Sequence, residues 1–393
     1  MPSFALILVL VSCLNGIVPL TVDIFLPAMP SIAGEFNAPV SDIQFSLATL
    51  NLGIALGHLL YGALSDRYGR KPVVVGAMVL YTLCAVVCLL IDTSHVFIWV
   101  RFVQGLAAAC TMVMARAIIR DHYDGAEAAR MYAYMFVVSA LAPVLAPVIG
   151  GYVTASASGL ATFYVVAGAG AMTALLFALM FSESYPADVR ARHRAEAPGN
   201  LADLARSSDF VLYTLVTTAT FFGLFSILAG LSPTLIGVLG VSPTVFGYMF
   251  ATVMLGNFIA SYIAGRLVGS VGIDRMIMLG ASVCLTSGLY LIVTTAMSIV
   301  SAWGIVAGAC AYMVGFALIA PAASAGAMSP FARMAGRASM IMGFLNMSAG
   351  AAMSFILGLA HDHTHRPLIY AITASSLLVF ALALAIRFRR RAA

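Results

Sequence analysis

Charge is what this 393-residue chain has least of: Asp, Glu, Lys and Arg together make up 9% of it, against about 25% in a soluble domain. Long polar stretches are also missing, except between residues 182 and 208. Apolar residues reach 62% and mean hydropathy is +1.03. A chain so apolar cannot hide its surface from water, so lipid must be its solvent. Cysteine is scarce too. Cys13, Cys84, Cys88, Cys110, Cys284 and Cys310 all fall in hydrophobic segments, without metal-ligand spacing or a disulfide framework. They read as small apolar packing residues. No G-x-x-x-x-G-K-[ST] phosphate loop occurs. No basic region precedes the first hydrophobic segment, which carries Pro19 and Asp23 near its far end, so a cleaved signal peptide is not expected. His, Cys, Asp and Glu inside the hydrophobic segments are too few and too dispersed for an enzyme. No metal site and no cofactor is expected.

What is present is a series of hydrophobic runs, each near the roughly 20 residues a spanning helix needs. There are twelve, at approximately 5–29, 41–64, 73–91, 95–118, 130–155, 160–181, 209–238, 243–268, 276–295, 298–322, 337–360 and 367–386. They are too long and unalternating for barrel strands, and helices satisfy their own backbone in lipid. The expected fold class is an all-α membrane protein of 12 transmembrane helices in two six-helix bundles. The domains are 1–181, a cytoplasmic linker at 182–208, and 209–393 with a short basic tail. Loops on the N-terminal side carry Arg67, Arg70, Lys71, Arg120, Arg130, Arg190, Arg192, Arg194, Arg206, Arg266, Arg275, Arg333 and Arg337, and the tail adds Arg387, Arg389, Arg390 and Arg391. The opposite loops carry Arg366 alone. By the positive-inside rule both termini are cytoplasmic. The net charge of +5 is therefore a topology signal, and nucleic acid is not an expected partner.

The densest island of charge is Gly62-Ala63-Leu64-Ser65-Asp66-Arg67-Tyr68-Gly69-Arg70-Lys71, a basic hairpin between segments 2 and 3. Gly265-x-Leu267-x-Gly269-x-x-Gly272 repeats its spacing after segment 8, without the Asp and the Arg-Lys pair. Two repeats of equal orientation are an architecture of transporters.

Gly62-x-Leu64-x-Asp66-Arg67-x-Gly69-Arg70-Lys71 resembles the major facilitator signature between helices 2 and 3. Further motifs are Asp23-Ile24-Phe25-Leu26-Pro27-Ala28-Met29-Pro30, Arg101-x-x-Gln104-Gly105, Arg116-Ala117-x-x-Arg120-Asp121, and Ala142-Pro143-x-x-Ala146-Pro147-x-x-Gly150-Gly151. Together they resemble the bicyclomycin/chloramphenicol-type drug:proton antiporters (the Bcr/CflA group). The resemblance implies a latch made by Gly62, Asp66, Arg67, Gly69, Arg70 and Lys71. Asp66 would sit against the positive end of helix 11, near Gly336, with Arg333 and Arg337 beside it. A plain positive-inside anchor is the simpler alternative.

Asp23 is the only carboxylate well inside a hydrophobic segment. A charge at mid-span costs about 2.5–3.5 kcal/mol or more, so it normally faces a cavity. Desolvation disfavours the ionised form, which makes Asp23 the first candidate for proton binding; a place in the outer headgroup region is the alternative. Arg101 is the matching cation, with Gln104 three residues on along the same face. The resemblance places their helices side by side and suggests that Arg101 tunes the proton affinity of Asp23. Some relatives in the family carry a second acid where this chain has Asn15. Pro143, Pro147 and Gly151 share one face of segment 5, with Gly150 beside them; the prolines bend the helix, as a packing kink or as the antiporter motif of the family. Gln44, Asn51 and His58 recur every seven residues along segment 2, lining a cavity or gluing helices by hydrogen bonds. Asn257 and Asn346 are the main buried amides of the second half. Phe221, Phe222, Phe225, Trp303, Tyr312 and Phe316 are aromatic residues suited to a broad apolar pocket, or to packing.

The expected function is proton-coupled export of small molecules such as bicyclomycin or chloramphenicol. The expected partners are substrate, protons and the lipid bilayer, and the protein is expected to be a monomer of the bacterial inner membrane. Export of an endogenous metabolite or siderophore is the alternative, followed by uptake through proton symport. A channel fits the repeat and the latch poorly.

Overall fold

The computed structural model describes residues 3–184 and 201–392, and for residues 126, 129, 201, 332, 333, 335 and 390–392 the backbone alone. Expectations resting on Arg190, Arg192 and Arg194, and on the side chains of Arg333, Arg390 and Arg391, lie outside the described residues.

Among the described residues, twelve helical stretches are long and apolar enough to cross a membrane. In chain order, spans 1 to 6 are Phe4–Glu35, Val40–Tyr68, Arg70–Cys88, Ser94–His122, Arg130–Ser156 and Thr162–Met180. Spans 7 to 12 are Ser208–Val238, Pro243–Val271, Ile273–Ala296, Ala302–Phe331, Gly336–Leu359 and Arg366–Arg389. Each coincides with one expected segment. The closest pair separates cleanly: one helix ends at Ala296, the next begins at Ala302, and Ser298 takes a positive φ of 56° in the turn between. Chain contacts divide the molecule into two compact units, Met1–Ala197 and Pro198–Ala393.

Side-chain caps start several spans. The hydroxyls of Ser3, Ser207, Ser242 and Ser301 accept from the N–H three residues on, supplying a partner that lipid cannot. Proline decides where spans break. Span 1 is helical to Asp23, passes through a 3-10 turn at Leu26–Ala28, and resumes at Met29–Glu35. Its end is tied down by Glu35, whose carboxylate accepts from the Gly159 N–H at 2.6 Å. Span 5 breaks between Ser139 and Ala142. Pro143 has no N–H to offer the Ser139 carbonyl four residues back, so the helix cannot run through.

In the first unit, spans 2 and 4 cross closely. A Cβ on Gly53 would meet the Phe102 carbonyl, and one on Gly105 the Leu50 carbonyl. Two helix backbones touch there because both residues lack side chains. The second unit also uses side chains to join its spans. Tyr312, fully buried on span 10, donates to the Thr220 carbonyl on span 7 at 3.1 Å.

Candidate functional site

Asp23 closes the first helix of span 1 and is 5% exposed. Span 5 approaches it closely: a Cβ on Gly150 would strike the Ile24 carbonyl and the Pro27 ring. Arg101, on span 4, is 0% exposed. Its guanidinium lies 4.6 Å from the Phe25 ring centre and 5.4 Å from that of Phe163, held by two aromatic faces rather than by an anion. One arm, Nη1, donates to Gln104 Oε1 at 2.8 Å. Nε, Nη2 and the Gln104 amide nitrogen have no partner among the described residues. Phe97 completes the aromatic wall, 5.5 Å from Phe163 and 6.2 Å from Phe25. Beside this group Thr21 and Tyr81, both buried, share a short hydrogen bond.

Asp23 stands two residues before Phe25, whose ring lies against the Arg101 guanidinium, and Asp23 and Arg101 form no ion pair with each other. Among the described residues the ion pairs are Arg70–Asp66, Arg70–Asp121 and Arg389–Asp209. The Asp23 carboxylate has no hydrogen bond within this set either. An unpaired carboxyl and an unpaired guanidinium in an apolar interior are costly in their charged forms. Such groups are suited to binding a proton, a polar ligand or each other.

The charged island at 62–71 is more helical than a hairpin. Span 2 continues to Tyr68 and span 3 begins at Arg70, so Gly69 alone makes the turn. Its φ of 98° is open to glycine at little steric cost. Gly272 repeats the conformation between spans 8 and 9, with φ 85°. The spacing repeat in the sequence is thus a repeat of backbone geometry. Arg70 is 3% exposed; it donates through Nη1 to Asp66 Oδ1 and through Nε to Asp121 Oδ2, both at 2.9 Å. Ser65 accepts from the same guanidinium. Glu183 accepts the backbone N–H groups of Arg70 and Lys71 at 2.9 and 3.1 Å, placing an anion at the positive start of span 3. Ser184 donates to Asp121 at 3.1 Å. The opening of the expected linker is thus bound to spans 3 and 4, and a helix at Leu201–Arg206 occupies its far end. Asp66 itself stays 57% exposed in its side chain. Arg67 lies over the Tyr68 ring at 5.2 Å, and Gly62 is half-buried.

The remaining candidates separate by what they touch. Gln44, Asn51 and His58 are all buried. His58 hydrogen-bonds the Ile54 carbonyl of its own helix at 2.9 Å, while both amide atoms of Asn51 lack a described partner. Asn15 is buried in span 1. Pro143 starts the second helix of span 5, and Pro147, Gly150 and Gly151 are buried within it. In the second unit Asn257 donates to the Met313 carbonyl at 3.1 Å, and Asn346 accepts from Thr218 at 3.2 Å. Phe225 is buried, and Phe221 meets Phe316 edge-on at 5.2 Å. Trp303 is 61% exposed. Sequence reasoning missed Phe163, Tyr81 and Thr21, whose only signal is aromatic or hydroxyl character in an apolar run. It also left Glu183 inside a linker, since nothing local says that its carboxylate caps the start of span 3, 113 positions earlier in the chain.

Twelve spans in two units, with polar and ionisable groups buried inside the first, define a multi-pass membrane transport protein. The chain belongs to the Major Facilitator Superfamily, whose family model matches residues 11–354. It is 28% identical to a "Bicyclomycin resistance protein homolog" of Haemophilus influenzae, covering 95% of this chain and 93% of that one. It is 28% identical to a "Chloramphenicol resistance protein" of Pseudomonas aeruginosa, covering 96% and 90%. It is 26% identical to the "Multidrug resistance protein MdtL" of Shewanella oneidensis, covering 95% and 94%. Among solved structures it is similar to the xylose transporter XylE from E. coli, with a TM-score of 0.76 at 13% identity over 97% and 96% of the two chains. It is also similar to a D-xylose-proton symporter, with a TM-score of 0.75 at 16% identity over 96% and 98%. At such identities these two show the fold alone.

Proposed function

We propose that this protein exports small, drug-like molecules, of the kind named by its bicyclomycin- and chloramphenicol-resistance relatives, in exchange for protons by alternating access. It would act as a monomer in the bacterial inner membrane with both termini in the cytoplasm, the side that collects the cationic loops. The observation that carries the reading is that Asp23 and Arg101 are both buried, without an ion pair, and joined through Phe25, two residues from Asp23 and against the Arg101 guanidinium. Asp23 takes a proton from outside, which cancels its buried charge and permits the change of state. Release of that proton to the cytoplasm leaves a carboxylate that Arg101 or a polar substrate then stabilises. Gln104 orients the guanidinium, and Phe25, Phe97 and Phe163 offer apolar faces to a ligand. The inward proton is driven in part by the membrane potential, about 2.3 kcal/mol per charge per 100 mV.

In the same reading Gly62, Asp66, Arg67, Gly69, Arg70 and Lys71 serve as a latch for one state. Arg70 and Asp121 hold Asp66 in place while its other oxygen stays available. The span 5 prolines, Pro143 and Pro147, supply the bend that alternation needs.

The test is uptake of chloramphenicol and bicyclomycin into everted vesicles, with and without an imposed pH gradient. Gradient-dependent uptake that vanishes in Asp23→Asn is the expected result. Uptake indifferent to the gradient would remove the exchange, and an unimpaired Asp23→Asn would remove the proposed proton carrier.

A further inference from the structure

Cations on the side where span 9 begins and span 12 ends differ in what holds them. In the first unit Arg70 binds two acids, and Arg67 and Arg130 lie against rings. In the second unit Arg389 pairs with Asp209 at 3.4 Å, and Arg266 lies 4.6 Å from the Tyr262 ring centre and donates to its hydroxyl. Arg275 and Arg387 are exposed, and neither pairs with an acid among the described residues. Asp274, beside Arg275 in sequence, accepts from Tyr213, and Asp209 faces Arg389.

Arg275 and Arg387 stand at one depth. Successive spans alternate in direction, so spans 9 and 12 run antiparallel. They touch at Gly288, where an added Cβ would meet Ser376 and Thr373, and the Thr373 hydroxyl donates to the Gly288 carbonyl at 3.1 Å. Arg275 lies thirteen positions before Gly288, and Arg387 eleven positions after Ser376 and fourteen after Thr373. At about 1.5 Å per residue, both are about 16–21 Å from the crossing. Eleven positions are about three helical turns, which sets Arg387 on the face of span 12 that meets span 9. Close-packed helices lie about 8–10 Å apart, a gap that two long side chains can close around one anion. The outward surfaces are apolar, with Leu279 and Leu289 on span 9 and Leu377 and Leu378 on span 12 exposed. Phe388, beside Arg387, is 63% exposed, an apolar ring at the level of the cations.

We propose that Arg275 and Arg387 hold the phosphate of an anionic phospholipid at the seam of spans 9 and 12, with its acyl chains along the exposed leucines. Guanidinium groups suit phosphate oxygens through paired N–H donors. A net negative headgroup is favoured, because a zwitterionic one brings its own ammonium, which the arginines repel. The tail strengthens the preference: Arg390 and Arg391 follow Arg387 within four positions, and basic clusters at the inner end of a span draw anionic lipid. Lipid is favoured over a free phosphate ion because the cations rim an apolar surface that acyl chains can cover. The site is independent of proton exchange and would be occupied whatever the direction of transport.

The test is titration of the full, detergent-solubilised chain with phosphatidylglycerol, phosphatidylcholine and inorganic phosphate, read by native mass spectrometry. Phosphatidylglycerol is expected to bind at least about fivefold more tightly than phosphatidylcholine, and excess inorganic phosphate should not displace it. Arg275→Gln with Arg387→Gln should weaken phosphatidylglycerol binding about tenfold or more, since each cation near the surface contributes about fivefold. Arg387→Gln alone, at an exposed helix end, should weaken it about fivefold and decides the matter should the double variant fail to fold. Arg266→Gln, on the same side but held by Tyr262, should leave binding unchanged. Undiminished binding by the double variant, or an equal loss in Arg266→Gln, would overturn the proposal. So would displacement of phosphatidylglycerol by inorganic phosphate, which would make a free ion the occupant.

Discussion

Replacing either acid beside Arg70 tests how the charged turn is built, because its two partners differ in burial. Arg70 and Asp121 are 4% and 10% exposed in their side chains, whereas Asp66 is 57% exposed. Removing one partner of a buried ion pair costs about 3–5 kcal/mol when a charge is left uncompensated. In Asp121→Ala the guanidinium keeps Asp66 at 2.9 Å, which reduces the loss to about 2–3 kcal/mol. Asp66→Ala removes an exposed pair, worth about 0–1 kcal/mol. With about 2–4 °C in Tm per kcal/mol for a unit of this size, Asp121→Ala should lower Tm by about 5–10 °C. Asp66→Ala should lower it by less than about 4 °C. Thermal unfolding of the detergent-solubilised protein, followed by intrinsic fluorescence, reads both. Equal shifts, or a larger one for Asp66→Ala, would refute the burial argument. Arg70→Met combined with Asp121→Leu leaves neither charge of that pair buried and should recover part of the lost stability.

Arg101→Lys should not rescue Arg101→Ala in stability or transport. An ammonium cannot lie flat between Phe25 and Phe163 while reaching Gln104, so a deficit of about 1–3 kcal/mol should persist in the melting curve. Gly105→Ala should cost about 1–3 kcal/mol by forcing a Cβ into the Leu50 carbonyl of span 2. Gly76→Ala, which meets nothing within 4 Å, should be neutral or slightly stabilising in the same assay. The loop after span 11 should respond to acid. Burial, and then the neighbouring His363 ring 4.8 Å away, hold His361 below its ordinary value. A base with a lowered folded pKa contributes stability above its unfolded value of about 6.5, lost as pH falls through the folded value. Tm should therefore drop between neutral and mildly acidic pH by less in His361→Gln than in the parent chain.

The spans were legible because the transfer of a helix into lipid is a sum over neighbouring residues. Their ends were less so. The Gly62–Lys71 island looks like a loop by charge, yet a single positive-φ glycine makes the turn and the charges sit on helix ends. Asp23 and Arg101 stood out because each is a rare ionisable group in an apolar run. Their surroundings did not, since nothing local says that Phe163, sixty-two positions beyond Arg101, covers its guanidinium. Likewise the span 2 stripe could be counted, but whether His58 bonds its own helix or a neighbour depends on helix rotation.

Sequence alone determined the solvent, the number of spans and which charges must be buried, because hydropathy and charge are local properties added residue by residue. Tertiary structure decided who meets whom. It put Arg101 between two rings instead of against Asp23, Arg70 between Asp66 and Asp121, and Glu183 at the start of span 3. These outcomes depend on the rotation, crossing and breaks of helices far apart in the chain, which local composition constrains only weakly.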